Sequence, residues 1–178
     1  MIVRLAVVFT PAIALVALAG CSTVAAMPDR RLGSAVLMRS TGQPAGTAQI
    51  VQVGDTVTLA VGLSGLSAGV HGIHLHTIGA CNGPDFASAG GHLNPLGKRH
   101  GALAAGGKHA GDLPNVTIQP GGGGALTADL SGTPAEVSAW LFDSDGTAIV
   151  VHAAPDDYRT DPTGNAGARV ACGVIRPT

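Results

Sequence analysis

Aromatic side chains are scarce in this chain of 178 residues: Trp and Tyr occur once each and Phe three times, 3% in all. A core of ordinary domain size must then come from Val, Leu, Ile and Ala, and the 27 glycines imply many turns between short elements. That combination favours an all-β fold. Charge is sparse too. Asp, Glu, Lys and Arg make up 12%, the formal net charge is -1, and the cations are scattered, so no basic stripe follows a phosphate backbone and nucleic acid is not an expected partner. Gly121 to Gly124 reads as a loop tip rather than a phosphate loop, because no Lys-Ser or Lys-Thr follows it. No stretch carries a helical stripe of apolar residues. The longest apolar run, Leu5 to Leu18, falls short of the roughly 20 residues of a membrane span, and Pro11 interrupts it.

That run has another reading. Met1 to Arg4 is a short positive start, and small residues follow the apolar stretch, the pattern of an export signal. Leu18-Ala19-Gly20-Cys21 resembles a bacterial lipobox, after which Cys21 would be acylated and anchored to the membrane of the cell envelope. Ordinary cleavage near the same place is the alternative. The expected organisation is a lipoprotein signal peptide at 1-20, a tether at 21-32 and one domain at 33-178. With Cys21 assigned to lipid, an exported domain keeps only Cys81 and Cys172, for which a disulfide is expected. Closing so long a loop stabilises a fold by about 4 to 5 kcal/mol on a chain-entropy argument.

Alternation of period two marks strands at Val57 to Leu63 and Leu126 to Leu130. Shorter runs are expected at Ala35 to Arg39, Ala48 to Val53, Val70 to His76, Val116 to Ile118, Ala148 to His152 and Arg169 to Ile175. Turn signals such as Gly54-Asp55 and Asp145-Gly146 separate them. About eight short strands suggest a β-sandwich or flattened Greek-key barrel. Thr77 to Asn115 breaks the pattern, being rich in Gly and Pro with charged residues among three histidines. A connection of that length needs something other than a core to organise it, and a bound metal would do so.

Six of the seven histidines lie between His71 and His109. On a strand His74 and His76 point to one side and can converge on one ion, whereas His71 faces the other way and reads as a hydrogen-bonded histidine near the core. His92, His100, His109 and Asp112 offer the nitrogen and carboxylate donors of a zinc shell. His152 arrives on a separate strand, and three or four imidazoles with an open position suit redox-active copper.

The motifs HGIHLHTIGAC at 71-81, GGHLNPLGKRHG at 90-101, KHAGDLPNV at 108-116, VVHAAPDDY at 150-158 and GNAGARVACGVI at 164-175 resemble the copper/zinc superoxide dismutase family. The resemblance covers roughly residues 34-176 and implies an eight-stranded Greek-key barrel with a long metal loop and a second active-site loop. It implies copper at His74, His76, His92 and His152, and zinc at His92, His100, His109 and Asp112. His92 is then the imidazolate bridge, and Cys81 and Cys172 form the disulfide. Arg169 corresponds to the arginine that attracts and orients superoxide. Asp156 corresponds to a carboxylate that orients one copper-ligand and one zinc-ligand histidine, while Asp157 beside it reads as a second candidate or a solvated charge. The implied activity is dismutation of superoxide to dioxygen and hydrogen peroxide as copper cycles between Cu(II) and Cu(I). His92 and Arg169 are then the catalytic side chains and zinc is structural.

The loop from His152 to Arg169 is short and carries only Arg159 besides Arg169, so weaker steering is expected than in members with a longer charged loop; Lys98, Arg99 and Lys108 read either as compensating cations or as ordinary solvated charges. The insertion Asn82 to Phe86 resembles bacterial members, which leaves both a monomer and a homodimer open. Two rival readings are a copper-binding envelope lipoprotein without turnover and a zinc hydrolase. The hydrolase is disfavoured because four ligands close the zinc shell.

Overall fold

The computed structural model describes residues 29-178. The signal segment, Cys21 and most of the expected tether lie outside the described residues. Nine strands follow in order: β1 (Arg30–Arg39), β2 (Pro44–Val53), β3 (Thr56–Leu63), β4 (Gly69–His71), β5 (Ile73–His76), β6 (Val116–Ile118), β7 (Gly124–Asp129), β8 (Thr147–His152) and β9 (Arg169–Pro177). Seven form one curled antiparallel sheet in the order β5-β8-β9-β1-β2-β3-β7, and β4 pairs with β6. The all-β expectation holds. β1 begins at Arg30, with Arg30 and Arg31 paired to Gln52 and Val51 of β2 and Leu32 at a bulge, so strand structure starts within the segment read as the tether.

Alternation works as read in β3: Val57, Leu59, Val61 and Leu63 are buried while Thr56, Ala60 and Gly62 face solvent. These side chains pack with Leu37, Ile50, Ile73 and Ile149 into an aliphatic core. Each such side chain contributes roughly 1.5 to 3 kcal/mol on burial. β8 differs, being buried along its whole length. One face of it meets the main core through Ile149 and Val151. On the other face Ala148 and Val150 pack with Phe86, Ala89 and Cys172, so the segment around residue 86 covers the sheet there.

Two expectations are corrected. Val70 to His76 is not one strand. The chain leaves β4 at Gly72, whose N–H donates to the Ala154 carbonyl and whose own carbonyl accepts from His152 N–H, before β5 begins. A helix, α1 (Pro134–Leu141), stands where no helical stripe was read. It is too short for a periodic signal and buries only Val137 and Leu141, one turn apart. Its start is nevertheless written in the sequence. Thr133 caps the Glu136 N–H, Glu136 returns to Thr133 N–H, and Pro134 occupies the first turn.

Candidate metal centre

β5 is the edge of the seven-stranded sheet, and the metal loop covers that edge with backbone hydrogen bonds. Leu93 N–H donates to the Leu75 carbonyl, Leu75 N–H to Gly111, and Gly111 N–H to Leu93. A Cβ on Gly111 would lie 2.4 Å from the Leu75 oxygen, so only glycine lets the loop run this close. The stitching sets His92 opposite His76 and Asp112 opposite His74. His152 reaches the same place from the end of β8, next to the start of β9.

Six buried histidines and Asp112 thereby form two groups that share His92. One is His74, His76, His92 and His152, the other His92, His100, His109 and Asp112, each with donor atoms within 4.8 Å of one another. Outer hydrogen bonds decide which nitrogen faces inward. His74 Nε2 donates to Asp156 Oδ2 at 2.8 Å, His76 Nδ1 to the Gly90 carbonyl at 2.9 Å, and His152 Nδ1 to the Gly167 carbonyl at 3.1 Å. The opposite nitrogens, His74 Nδ1, His76 Nε2 and His152 Nε2, are buried and lack a hydrogen-bond partner among the described residues, as is His92 Nε2. Orphaned buried polar atoms are costly, and four converging lone pairs fit a metal ion.

In the second group the Nδ1 atoms of His92, His100 and His109 lie 3.0, 3.0 and 3.2 Å from Asp112 Oδ1. Ligands on a tetrahedral zinc with bonds of about 2.0 Å would sit about 3.3 Å apart, so the spacing fits that ion. Asp112 Oδ2 is occupied, accepting from Gly101 N–H at 2.8 Å and His109 N–H at 3.1 Å. His71 joins neither group. Its ring nitrogens face the carbonyls of His152 at 2.7 Å and Ser67 at 2.9 Å.

The family model of copper/zinc superoxide dismutase matches residues 44–175. The chain belongs to the copper/zinc superoxide dismutase family. It is 40% identical over 146 residues to "Superoxide dismutase [Cu-Zn] 2" of Aquifex aeolicus, covering 80% of this chain and 85% of that protein. It is 41% identical over 154 residues to the copper-zinc superoxide dismutase of Caulobacter vibrioides, covering 80% and 84%. Among solved structures it resembles a SOD-like protein from Bacillus subtilis, with a TM-score of 0.75 and 32% identity over 83% of this chain and all of that one.

Electrostatics prepare this family member's histidines for cations. Burial, reinforced by neighbouring imidazoles, lowers His76 to about 2, His152 to about 3 and His92 to about 4, so these rings are neutral at physiological pH. Burial alone would raise Asp112, but the bonds from His92 and Gly101 and the nearby His100 and His109 hold it well below the usual carboxylate range. Asp156 is lowered against its own burial by bonds from His74 and His100. Its Oδ1 accepts from His100 Nε2 at 2.9 Å while its Oδ2 serves His74, so one carboxylate touches a member of each group.

A cavity of about 410 Å³ opens over His76, His92 and His152 and is also lined by Thr163, Asn165 and Arg169. Arg169 is half-buried, and its two terminal nitrogens donate at 2.6 Å to the carbonyls of Phe86 and Gly90. Burial lowers its pKa while Asp85 opposes that shift. Cys81 and Cys172 are joined by a disulfide across 91 positions, fixing the segment that supplies those carbonyls to β9. Asp157 is solvated. It holds its loop by accepting from Arg159 N–H, Thr160 N–H, the Thr160 hydroxyl and Asn165, which lowers it to about 2. Sequence reasoning missed Gly90, which acts through its backbone carbonyl, and Asn115, whose side-chain amide pairs with the backbone of Asp156.

Proposed function

We propose that this protein converts superoxide to dioxygen and hydrogen peroxide, with copper held by His74, His76, His92 and His152 and zinc by His92, His100, His109 and Asp112. The observation that carries the assignment is the set of six buried ring nitrogens that make no hydrogen bond among the described residues, divided between two groups that share His92. Copper, when bound, supplies the one-electron chemistry by alternating between Cu(II) and Cu(I), and the donor set of imidazoles beside an open cavity suits it. The chain's own side chains do the rest. Arg169 offers a fixed cation beside the copper group, where it attracts and orients a small anion. His92 presents Nε2 to that group and Nδ1 to the zinc group, so it is the side chain placed to hold a proton at Nε2 for the departing peroxide. Asp156 keeps His74 and His100 in the tautomers that leave Nδ1 free. Zinc, with four protein donors, is structural.

The test is superoxide dismutation by the protein loaded with copper and zinc, beside His152→Ala and a copper-free control. Fast copper-dependent turnover that collapses in the variant supports the assignment. Tight copper binding without turnover overturns it in favour of a copper-binding lipoprotein.

We further propose that the protein is exported and anchored to the cell envelope through acylated Cys21. The apolar segment before Cys21 and the disulfide, a bond typical of oxidising compartments, support this. Cys21→Ser should move the protein from the membrane to the soluble fraction, and an unchanged membrane fraction would sink the anchor.

A further inference from the structure

Asp156 has to deliver two oxygens to two rings at once, yet it sits in an irregular stretch, 153-168, where no strand fixes its backbone. Among the described residues, the hydrogen bonds to its own N–H and C=O come from one side chain. Asn115 Nδ2 donates to the Asp156 carbonyl at 2.9 Å, and Asp156 N–H donates to Asn115 Oδ1 at 2.8 Å. A side-chain amide carries donor and acceptor on one planar group, so it can pair with the N–H and C=O of a single residue as a neighbouring strand would. Two more bonds close the arrangement: Asn115 N–H donates to the Tyr158 hydroxyl at 2.7 Å, and Tyr158 N–H donates to Asp156 Oδ1 at 2.7 Å.

Asn115 is well placed to be the fixed partner. It directly precedes β6, whose Val116 pairs with His71 on β4, and it follows the zinc-group residue Asp112 by three positions. The clamp therefore ties the end of the metal loop and the second loop to β6 at one point. We propose that Asn115 is a positioning residue for both metal groups, acting through Asp156: it sets the backbone from which the carboxylate reaches His74 Nε2 and His100 Nε2 together. This rests on the metal assignment above and extends it to a residue that touches neither donor group. Outer partners of metal-ligating histidines typically change metal affinity by about 10- to 100-fold, and a residue acting one step further out belongs near the lower end.

The experiment measures zinc release to a chromogenic chelator at pH 7 from the full chain loaded with copper and zinc. It compares the parent with Asn115→Ala, Asp156→Asn and the double variant. Asn115→Ala should release zinc about 10-fold faster than the parent. In the Asp156→Asn background the same change should add nothing, because the carboxylate through which it acts is gone. Asn115→Asp keeps the acceptor for Asp156 N–H and removes the donor to its carbonyl, so its rate should lie between parent and Asn115→Ala. It decides the question if the alanine variant fails to fold. Parent-like release from the Asn115 variants, or acceleration by Asn115→Ala that persists in full without the Asp156 carboxylate, overturns the inference alone. A parent that takes up no zinc overturns the metal assignment together with it.

Discussion

His76 and Arg169 share one acceptor: the Gly90 carbonyl receives His76 Nδ1 at 2.9 Å and Arg169 Nη2 at 2.6 Å. The same oxygen thus fixes the tautomer of a ring proposed to hold copper and the direction of the cation beside it. Phe86 supplies the second carbonyl to Arg169, and the disulfide holds the segment that carries both acceptors.

A planar guanidinium can serve two carbonyls with separate N–H groups, whereas a lysine is a flexible point charge. Arg169→Ala should lower kcat/KM for superoxide by about 10- to 100-fold, within the range of electrostatic steering, and leave copper content unchanged. Arg169→Lys should fall between the two. Rates measured against ionic strength check this, since the salt dependence of the parent should flatten in the alanine variant. Equal rates in all three proteins would remove Arg169 from the mechanism.

The metal-free protein should be acid-sensitive. His76, His92 and His152 are lowered in the folded state to about 2, 4 and 3 from an ordinary value of 6.5. Well above pH 6.5 they are neutral folded and unfolded, so no stability is lost. As pH falls below that, the unfolded chain takes up protons that the folded one refuses, and stability declines until the folded values are reached. At pH 5.5 the three together cost about 4 kcal/mol, or roughly 10 °C in Tm. Thermal melts of the apo protein at pH 7.5 and 5.5 give the comparison, and equal midpoints would contradict it.

Much of the frame was legible because it depends on periodicity. Val57, Leu59, Val61 and Leu63 alternate in the sequence and are buried in the structure. The histidines were legible as a cluster because a charge-poor chain has little other use for them. Gly72 was not, since the break it makes depends on Ala154 and His152, both distant in the chain. The shared role of Gly90 was hidden for a similar reason: a backbone carbonyl has no residue type to read. Asn115 is in between, its type visible in GDLPN but its partner some 40 positions away.

Gly164 passes against the carboxylate that links the two groups. A Cβ there would lie 2.0 Å from Asp156 Oδ1 and 2.5 Å from His100 Nε2, and its φ of +64° already disfavours a side chain. Gly164→Ala should displace Asp156 and weaken zinc about 10- to 100-fold. Competition with a chelator of known affinity measures this. Affinity equal to the parent would mean that the loop absorbs the methyl group without moving the carboxylate.

The Cys81–Cys172 bond closes a loop of 91 positions, which corresponds to about 4 to 5 kcal/mol of restraint on the unfolded chain. Replacing both cysteines by serine should lower the denaturation midpoint accordingly. A purely entropic restraint would affect stability alone. Here the bond also fastens the segment whose Phe86 and Gly90 carbonyls aim Arg169, so the variant should lose kcat/KM under fully folding conditions as well. If the losses combined with Arg169→Ala are no larger than that of Arg169→Ala by itself, the disulfide acts on turnover through Arg169. A further fall in the combined variant would place its effect on the histidines proposed to hold copper, with His76 the first candidate through the same Gly90 carbonyl.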